Sequence, residues 1–253
     1  MRGLKDKVVL VAGAATGLGA ASARRLAWEG ARVVVGDLNA DGAEETADAI
    51  RAGGGEAVAV EFDISDDTSV GHLVEATLRT YGGLDAVHVN AGDMGAVQKD
   101  TDVVDMDLAI WDRTVAVNLR GHMLVSRHAV PALLARGGGA IVYTSSIASF
   151  TGDAKRPAYA ATKAGINALT RHVASRWGRD GIRANAVAPG LVLTADIERG
   201  APPEMLRSML ARTRSTRHGR AEDIAGMVAY LLSDEGEWIN GQVVNVDGGT
   251  VLR

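Results

Sequence analysis

The sequence predicts an α/β fold: a doubly wound parallel sheet with helices on both faces. Two observations lead there. Short β-branched apolar runs alternate with longer helical stretches along the whole chain. The first run passes straight into a glycine-rich turn and an alanine-rich helix, Gly13-Ala14-Ala15-Thr16-Gly17-Leu18-Gly19 and onward. Parallel strands buried on both faces read as continuous apolar runs, and right-handed crossover helices supply the cover.

The elements follow in order. Val8–Ala12 is the first strand, and its helix runs to Glu29 with Gly30 closing it at a C-cap position. Residues 31–37 form a strand, 41–52 a helix, and Gly53-Gly54-Gly55 breaks that helix before a strand at 57–62. Asp66 caps a helix to Tyr81, and the strand at 84–89 ends in Asn90-Ala91-Gly92. Residues 107–136 read as one long helix with Pro131 kinking or stopping it near its end. A strand at 140–144 precedes a helix opened by Pro157 and reaching about Trp177. A strand at 182–188 stops at Pro189-Gly190, and helices at 203–212 and 221–232 precede a last strand at 242–246. No linker, repeat or low-complexity tract divides the chain, so one domain is expected over residues 1–253.

Composition narrows the function classes. A 47% hydrophobic content excludes a disordered chain, and a net charge of −4 offers no basic field for nucleic acid or an acidic membrane surface. With no cysteine, disulfides and thiolate metal sites are excluded, which fits a cytoplasmic protein. The N-terminus enters a strand directly and does not read as a signal peptide, and no apolar run is long enough to span a membrane. The six histidines show no metal-ligand spacing, so no metal is expected, and Trp111, Trp177 and Trp238 read as packing residues.

The chemistry-bearing motifs begin at the glycine turn. Gly13, Gly17 and Gly19 follow a strand and open a helix, where a pyrophosphate can approach the backbone and the positive helix end. Asp37 ends the second strand 18 residues after Gly19. There a carboxylate accepts bonds from ribose hydroxyls and repels a 2′-phosphate, so NAD is the expected cofactor rather than NADP. Tyr159 and Lys163 lie one helical turn apart on one face. A lysine ammonium in that position favours phenolate and lowers the tyrosine pKa.

Together with Asn118, Ser145-Ser146, Thr194 and the ending Val246-Asp247-Gly248-Gly249, these motifs make the whole chain resemble the short-chain dehydrogenase/reductase family. The resemblance implies a Rossmann fold with seven parallel strands and NAD-dependent interconversion of a secondary alcohol and a ketone. It implies a catalytic set of Asn118, Ser146, Tyr159 and Lys163, Ser146 standing 13 residues before Tyr159 and Ser145 being the alternative serine. Tyr159 acts as acid/base, Lys163 also holds the nicotinamide ribose, and Asn118 holds a water that links Lys163 to solvent. The implied cofactor-binding set is Gly13, Thr16, Gly17, Leu18, Gly19, Asp37, Leu38, Asp63, Ile64, Asn90, Ala91, Gly92, Pro189, Gly190, Val192 and Thr194, with Tyr159 and Lys163. Asp63 and Ile64 belong to the adenine pocket and Thr194 to the carboxamide.

The resemblance further implies a homotetramer, with residues 107–136 and 157–177 at one interface, and a substrate lid at about 191–213. Rival functions are a 3-oxoacyl carrier-protein reductase, which Asp37 and the absence of a basic residue at Ala14-Ala15 oppose, and a non-catalytic NAD-sensing regulator, which the retained Tyr159-Lys163 pair opposes. Ala12, Asp93-Met94 and Arg120 depart from the family pattern. Lys155 and Arg156 flank the catalytic stretch and read as solvated charges rather than a substrate-anion site.

Overall fold

The computed structural model describes residues 1–252 apart from 195, 196, 198 and 199. Among these the strands are β1 (Val8–Ala12), β2 (Arg32–Asp37), β3 (Glu56–Glu61), β4 (Ala86–Val89), β5 (Gly139–Thr144), β6 (Ile182–Pro189), β7 (Val192–Leu193), β8 (Gly219–Arg220) and β9 (Val243–Val246). Seven form one parallel sheet in the order β3-β2-β1-β4-β5-β6-β9, and β7 pairs with β8 alone. Chain order runs outward from β1 in both directions, which opens a crevice at the carboxyl ends of β1 and β4.

Register decides what meets at that crevice. Ala12 lies beside both Gly36 and Val89, Val89 beside Tyr143, and Thr144 beside Val187. The Gly13 turn, Asp37, Asn90 and Ser145-Ser146 therefore all leave the sheet on the same edge.

Helices cover both faces. On one lie α1 (Gly17–Trp28) and α2 (Ala40–Ala52), with Leu26, Ala43, Ala47 and Ile50 packed on Val9, Val11, Val33 and Val35. The other carries α3 (Asp67–Tyr81), whose Val70, Leu73 and Val74 pack on Leu10 and Val34. Each large apolar side chain so buried contributes about 1.5–3 kcal/mol. Local signals set the ends: the Asp66 carboxylate accepts the Ser69 N–H at 2.6 Å, and Gly30 follows α1 at φ 91°.

Four expectations need correction. A short helix, α4 (Met94–Lys99), follows β4 where none was expected. The helix expected over 107–136 is divided into α5 (Leu108–Val115), a π turn at Ala116–Arg120, and α6 (Gly121–Ala135). Pro131 lies inside α6 without ending it, because Val130, Ala132 and Leu133 around it are buried and hold the helix through the missing bond. Trp238 is 97% exposed, since its neighbour Ile239 takes the position against the core. Most other element ends move by only one or two residues, including β4, which begins at Ala86.

The remaining helices are α7 (Pro157–Trp177), α8 (Pro203–Ala211) and α9 (Ala221–Leu232). α7 packs Ile166 and Val173 with the α3 and α6 side chains, while α9 joins α1 on the opposite face. Part of the segment expected to form a lid, at 195, 196, 198 and 199, lies outside the described residues.

Candidate active site

The glycine turn is built around close backbone approaches. A Cβ at Gly19 would stand 1.8 Å from the Gly13 carbonyl oxygen, and one at Gly13 would stand 2.5 Å from Ala91 Cα with φ already at 90°. Both positions require glycine. Thr16 precedes α1 in extended conformation without capping it, and no acidic residue stands in the first turn. The N–H groups of Gly17, Leu18 and Gly19 are left facing a cradle that an anion such as a pyrophosphate fits. Thr194 flanks the same turn, its Cγ2 3.7 Å from where a Gly17 Cβ would be.

Around the turn, the expected residues converge and several already have work to do. Asp37 accepts the Ala15 N–H at 2.8 Å and the Asn39 N–H at 3.0 Å, so it braces the turn while keeping lone pairs for a ligand. Leu38 beside it is 57% exposed, whereas Ile64 is buried. Burial alone would raise the Asp63 carboxyl, but the Ser65 hydroxyl and N–H, with the Arg113 charge, hold it below its ordinary range. Asn90 donates to the Gly13 carbonyl at 2.8 Å and accepts from the Thr144 hydroxyl at 3.0 Å. Ala91 packs beneath Gly13, and Gly92 sits 3.5 Å, by its missing Cβ, from Asn118 Oδ1. Across the crevice Pro189 and Val192 are buried, and Gly190 lies against Asp247 with its N–H on the Val246 carbonyl at 3.2 Å.

The four expected catalytic residues come from three elements. Asn118 sits in the π turn, fully buried, accepting the Asp93 N–H at 2.9 Å on Oδ1 while its Nδ2 has no partner among the described residues. Ser146 caps a short 3-10 turn after β5, accepting the Ala148 N–H at 3.2 Å, and faces the Tyr159 phenol. Ser145 instead bonds Asn167 Oδ1 at 2.6 Å and the Lys163 carbonyl at 3.2 Å, which commits its hydroxyl to anchoring α7. Tyr159 and Lys163 share a face of α7, with Lys163 Nζ 5.6 Å from the Tyr159 ring centre and donating to the Thr144 carbonyl at 2.7 Å.

Burial dominates the electrostatics of the pair. Burial raises the Tyr159 phenol above its ordinary range, while the Ser146 hydroxyl and the Arg156 charge act the other way. Burial lowers Lys163 to about 7. Desolvation is the leading cause at both groups, and Arg156 is the cation that lowers the phenol.

Sequence reasoning missed several polar groups behind this site. His88, read as a strand residue, is fully buried and bonds the Thr144 hydroxyl at 2.9 Å through Nε2. Because Thr144 donates onward to Asn90, His88 must carry its proton on Nε2. His122, also fully buried, faces backbone groups of Val89 and Val117 without a well-formed bond. Asp93, noted as a departure, caps α4 through the Ala96 N–H at 2.9 Å and pairs with Arg113 at 2.9 Å. Asp100 is buried and bonds the Tyr159 N–H at 2.8 Å. A polar residue inside an apolar strand was the available signal for His88; nothing local marks Asp100.

A nucleotide-type crevice next to a Ser-Tyr-Lys-Asn constellation defines a dehydrogenase or reductase, and known proteins agree. Residues 13–251 match the family model described as enoyl-(acyl carrier protein) reductase. A probable short-chain type dehydrogenase/reductase from Bradyrhizobium diazoefficiens is 42% identical over 249 residues, 98% of this chain and 89% of that protein. The cis-4-hydroxycyclohexanecarboxylate dehydrogenase of Sinomonas cyclohexanicum is 39% identical over 244 residues, covering 96% of each. The solved structure of a 7α-hydroxysteroid dehydrogenase complexed with NADH and 7-oxo glycochenodeoxycholic acid superposes with a TM-score of 0.92 at 32% identity, over 99% of this chain and 96% of that one. The chain belongs to the short-chain dehydrogenase/reductase family and is an oxidoreductase. Among the described residues no helix is long and apolar enough to cross a membrane.

Proposed function

We propose that the protein interconverts a secondary alcohol and a ketone with NAD(H), using Tyr159 as acid/base. The observation that carries this is the placement of Ser146, Tyr159 and Lys163 around one point beside the glycine turn, with Lys163 Nζ 5.6 Å from the phenol ring. Bound NAD supplies the hydride acceptor, or NADH the donor. In the oxidative direction the Ser146 hydroxyl holds the substrate oxygen and Tyr159 phenolate takes the hydroxyl proton as the C–H bond breaks. Lys163, anchored on Thr144, holds the nicotinamide ribose, and Asn118 holds the water through which Lys163 exchanges protons with solvent. The other cofactor contacts are those named above, with Asp37 selecting NAD over NADP.

The relatives' names support alcohol and ketone carbons on rings as substrates. Residues 191–213 serve as the lid, whose α8 has no buried side chain and exposes Met205. We further assign the chain to one cytoplasmic domain that assembles as a homotetramer. The exposed Val103, Val104 and Leu108, leading into α5, support that assembly. NAD+ reduction measured over cyclic secondary alcohols and hydroxysteroids, beside NADH oxidation over the matching ketones, tests the reading. Turnover is expected on at least one class; NADPH serving as well as NADH would overturn the role given to Asp37.

A further inference from the structure

We propose that Asp100 is a positioning residue for the proton-transfer step, acting through a short strap that ties Asn118 to the start of the Tyr159 helix. The strap is α4 with its flanking residues. It begins at Asp93, whose N–H donates to Asn118 Oδ1 at 2.9 Å and whose side chain caps α4. Its end is Asp100, 3% exposed, with one carboxylate oxygen on the Tyr159 N–H at 2.8 Å and the other 3.4 Å from the Ala158 N–H. Next to it the Thr101 carbonyl accepts the Arg156 N–H at 2.9 Å.

The geometry of α7 explains why this contact matters. Arg156, at the N-cap, is left-handed with φ 67° and its side chain caps nothing. The orphan N–H groups of the first turn are met instead by a carboxylate 59 residues away in sequence. A cap that served helix stability alone could sit locally at 156, where Ser, Thr, Asp or Asn is the usual solution. A remote one fixes the helix against the loop that also holds Asn118. Tyr159 is the third residue of α7, so displacement of the first turn displaces the phenol against Ser146 and the substrate oxygen. A misplacement of about 1 Å can cost about 100-fold in rate.

Asp100 also brings a negative charge to the backbone of Tyr159. The other groups facing that side chain are Lys163 on α7, Ser146 from the turn after β5, and Arg156 from the preceding loop.

The inference rests on Tyr159 as acid/base, and the test separates the two. Asp100→Ala, Asp100→Asn and Tyr159→Phe are compared with wild type for kcat, KM for NAD and substrate, and the pH profile of alcohol oxidation. Asp100→Ala should lose about 10- to 100-fold in kcat with KM for NAD within about twofold. Asp100→Asn keeps an acceptor oxygen and should recover most of kcat with the pH profile unmoved. If Asp100→Ala fails to fold, Asp100→Glu decides, since its longer side chain displaces the first turn of α7 and should lower kcat with KM for NAD unchanged. Wild-type kcat in Asp100→Ala, or in Asp100→Glu where the former does not fold, with Tyr159→Phe inactive, overturns the positioning role and leaves Tyr159 standing. An active Tyr159→Phe removes the reading beneath both.

Discussion

At Lys163 two demands conflict. The proposed proton transfer calls for its charge beside the phenol, yet its burial, at 4% exposure, lowers its pKa to about 7. Between pH 7 and 10.5 the unfolded chain binds a proton there that the native state has released, so this group's contribution to stability rises with pH across that window and is lost as pH falls through it. Denaturant unfolding of wild type and Lys163→Met should therefore diverge in favour of wild type from pH 7 to 10, by up to about 1.4 kcal/mol per pH unit. A constant difference would mean that the lysine stays charged in the fold. Asp37 is the second residue where roles compete, since it both braces Ala15 and faces the crevice. Asp37→Ala should move cofactor preference toward NADP and weaken the turn, read as a fall in the NAD/NADP ratio of kcat/KM. The convergence of Ser146, Tyr159 and Lys163 was legible because each sits in a local motif. The pKa balance was not, because desolvation depends on packing that no spacing of Tyr159 and Lys163 reveals.

Among the elements, the glycine turn and α7 were readable and the strap between them was not. Gly13, Gly17 and Gly19 announce a close approach by their own chemistry. α4 is six residues with a glycine at its second position, too short to show a periodicity. Its cap on α7 is a contact across 59 residues, and the π turn at Asn118 replaces what reads as unbroken helix. Gly19→Ala tests the turn: with 1.8 Å to the Gly13 oxygen, the variant should lose most of its NADH affinity, measured by fluorescence titration. Unaltered affinity would move the pyrophosphate elsewhere. The strand pair β4–β5 carries another consequence through His88. Burial lowers this histidine to about 3, so the stability it contributes is present above pH 6.5 and lost as pH falls toward 3. His88→Gln should flatten the acid limb of the unfolding curve; an identical limb in the variant would place acid lability in other groups.

On the scale of the whole molecule, sheet order was legible in kind, since alternating strands and helices leave few right-handed solutions. Assembly is a property of surfaces, which a hydrophobic pattern shows poorly. Val103, Val104 and Leu108 became notable only once the structure left them exposed. Light scattering should give a particle of four times the 26.3 kDa chain mass, whereas a monomer would refute the tetramer. The architecture as a whole delivers one arrangement: β1, β2 and β4 bring the residues proposed for the cofactor, while the π turn, the β5 turn and α7 bring those proposed for proton transfer to the same sheet edge. The central claim is that Tyr159 moves the proton. Tyr159→Phe, assayed by NADH titration and single-turnover hydride transfer, tests it most directly. The expected result is near-native NADH binding with turnover reduced by about 100-fold or more; turnover equal to wild type would contradict it.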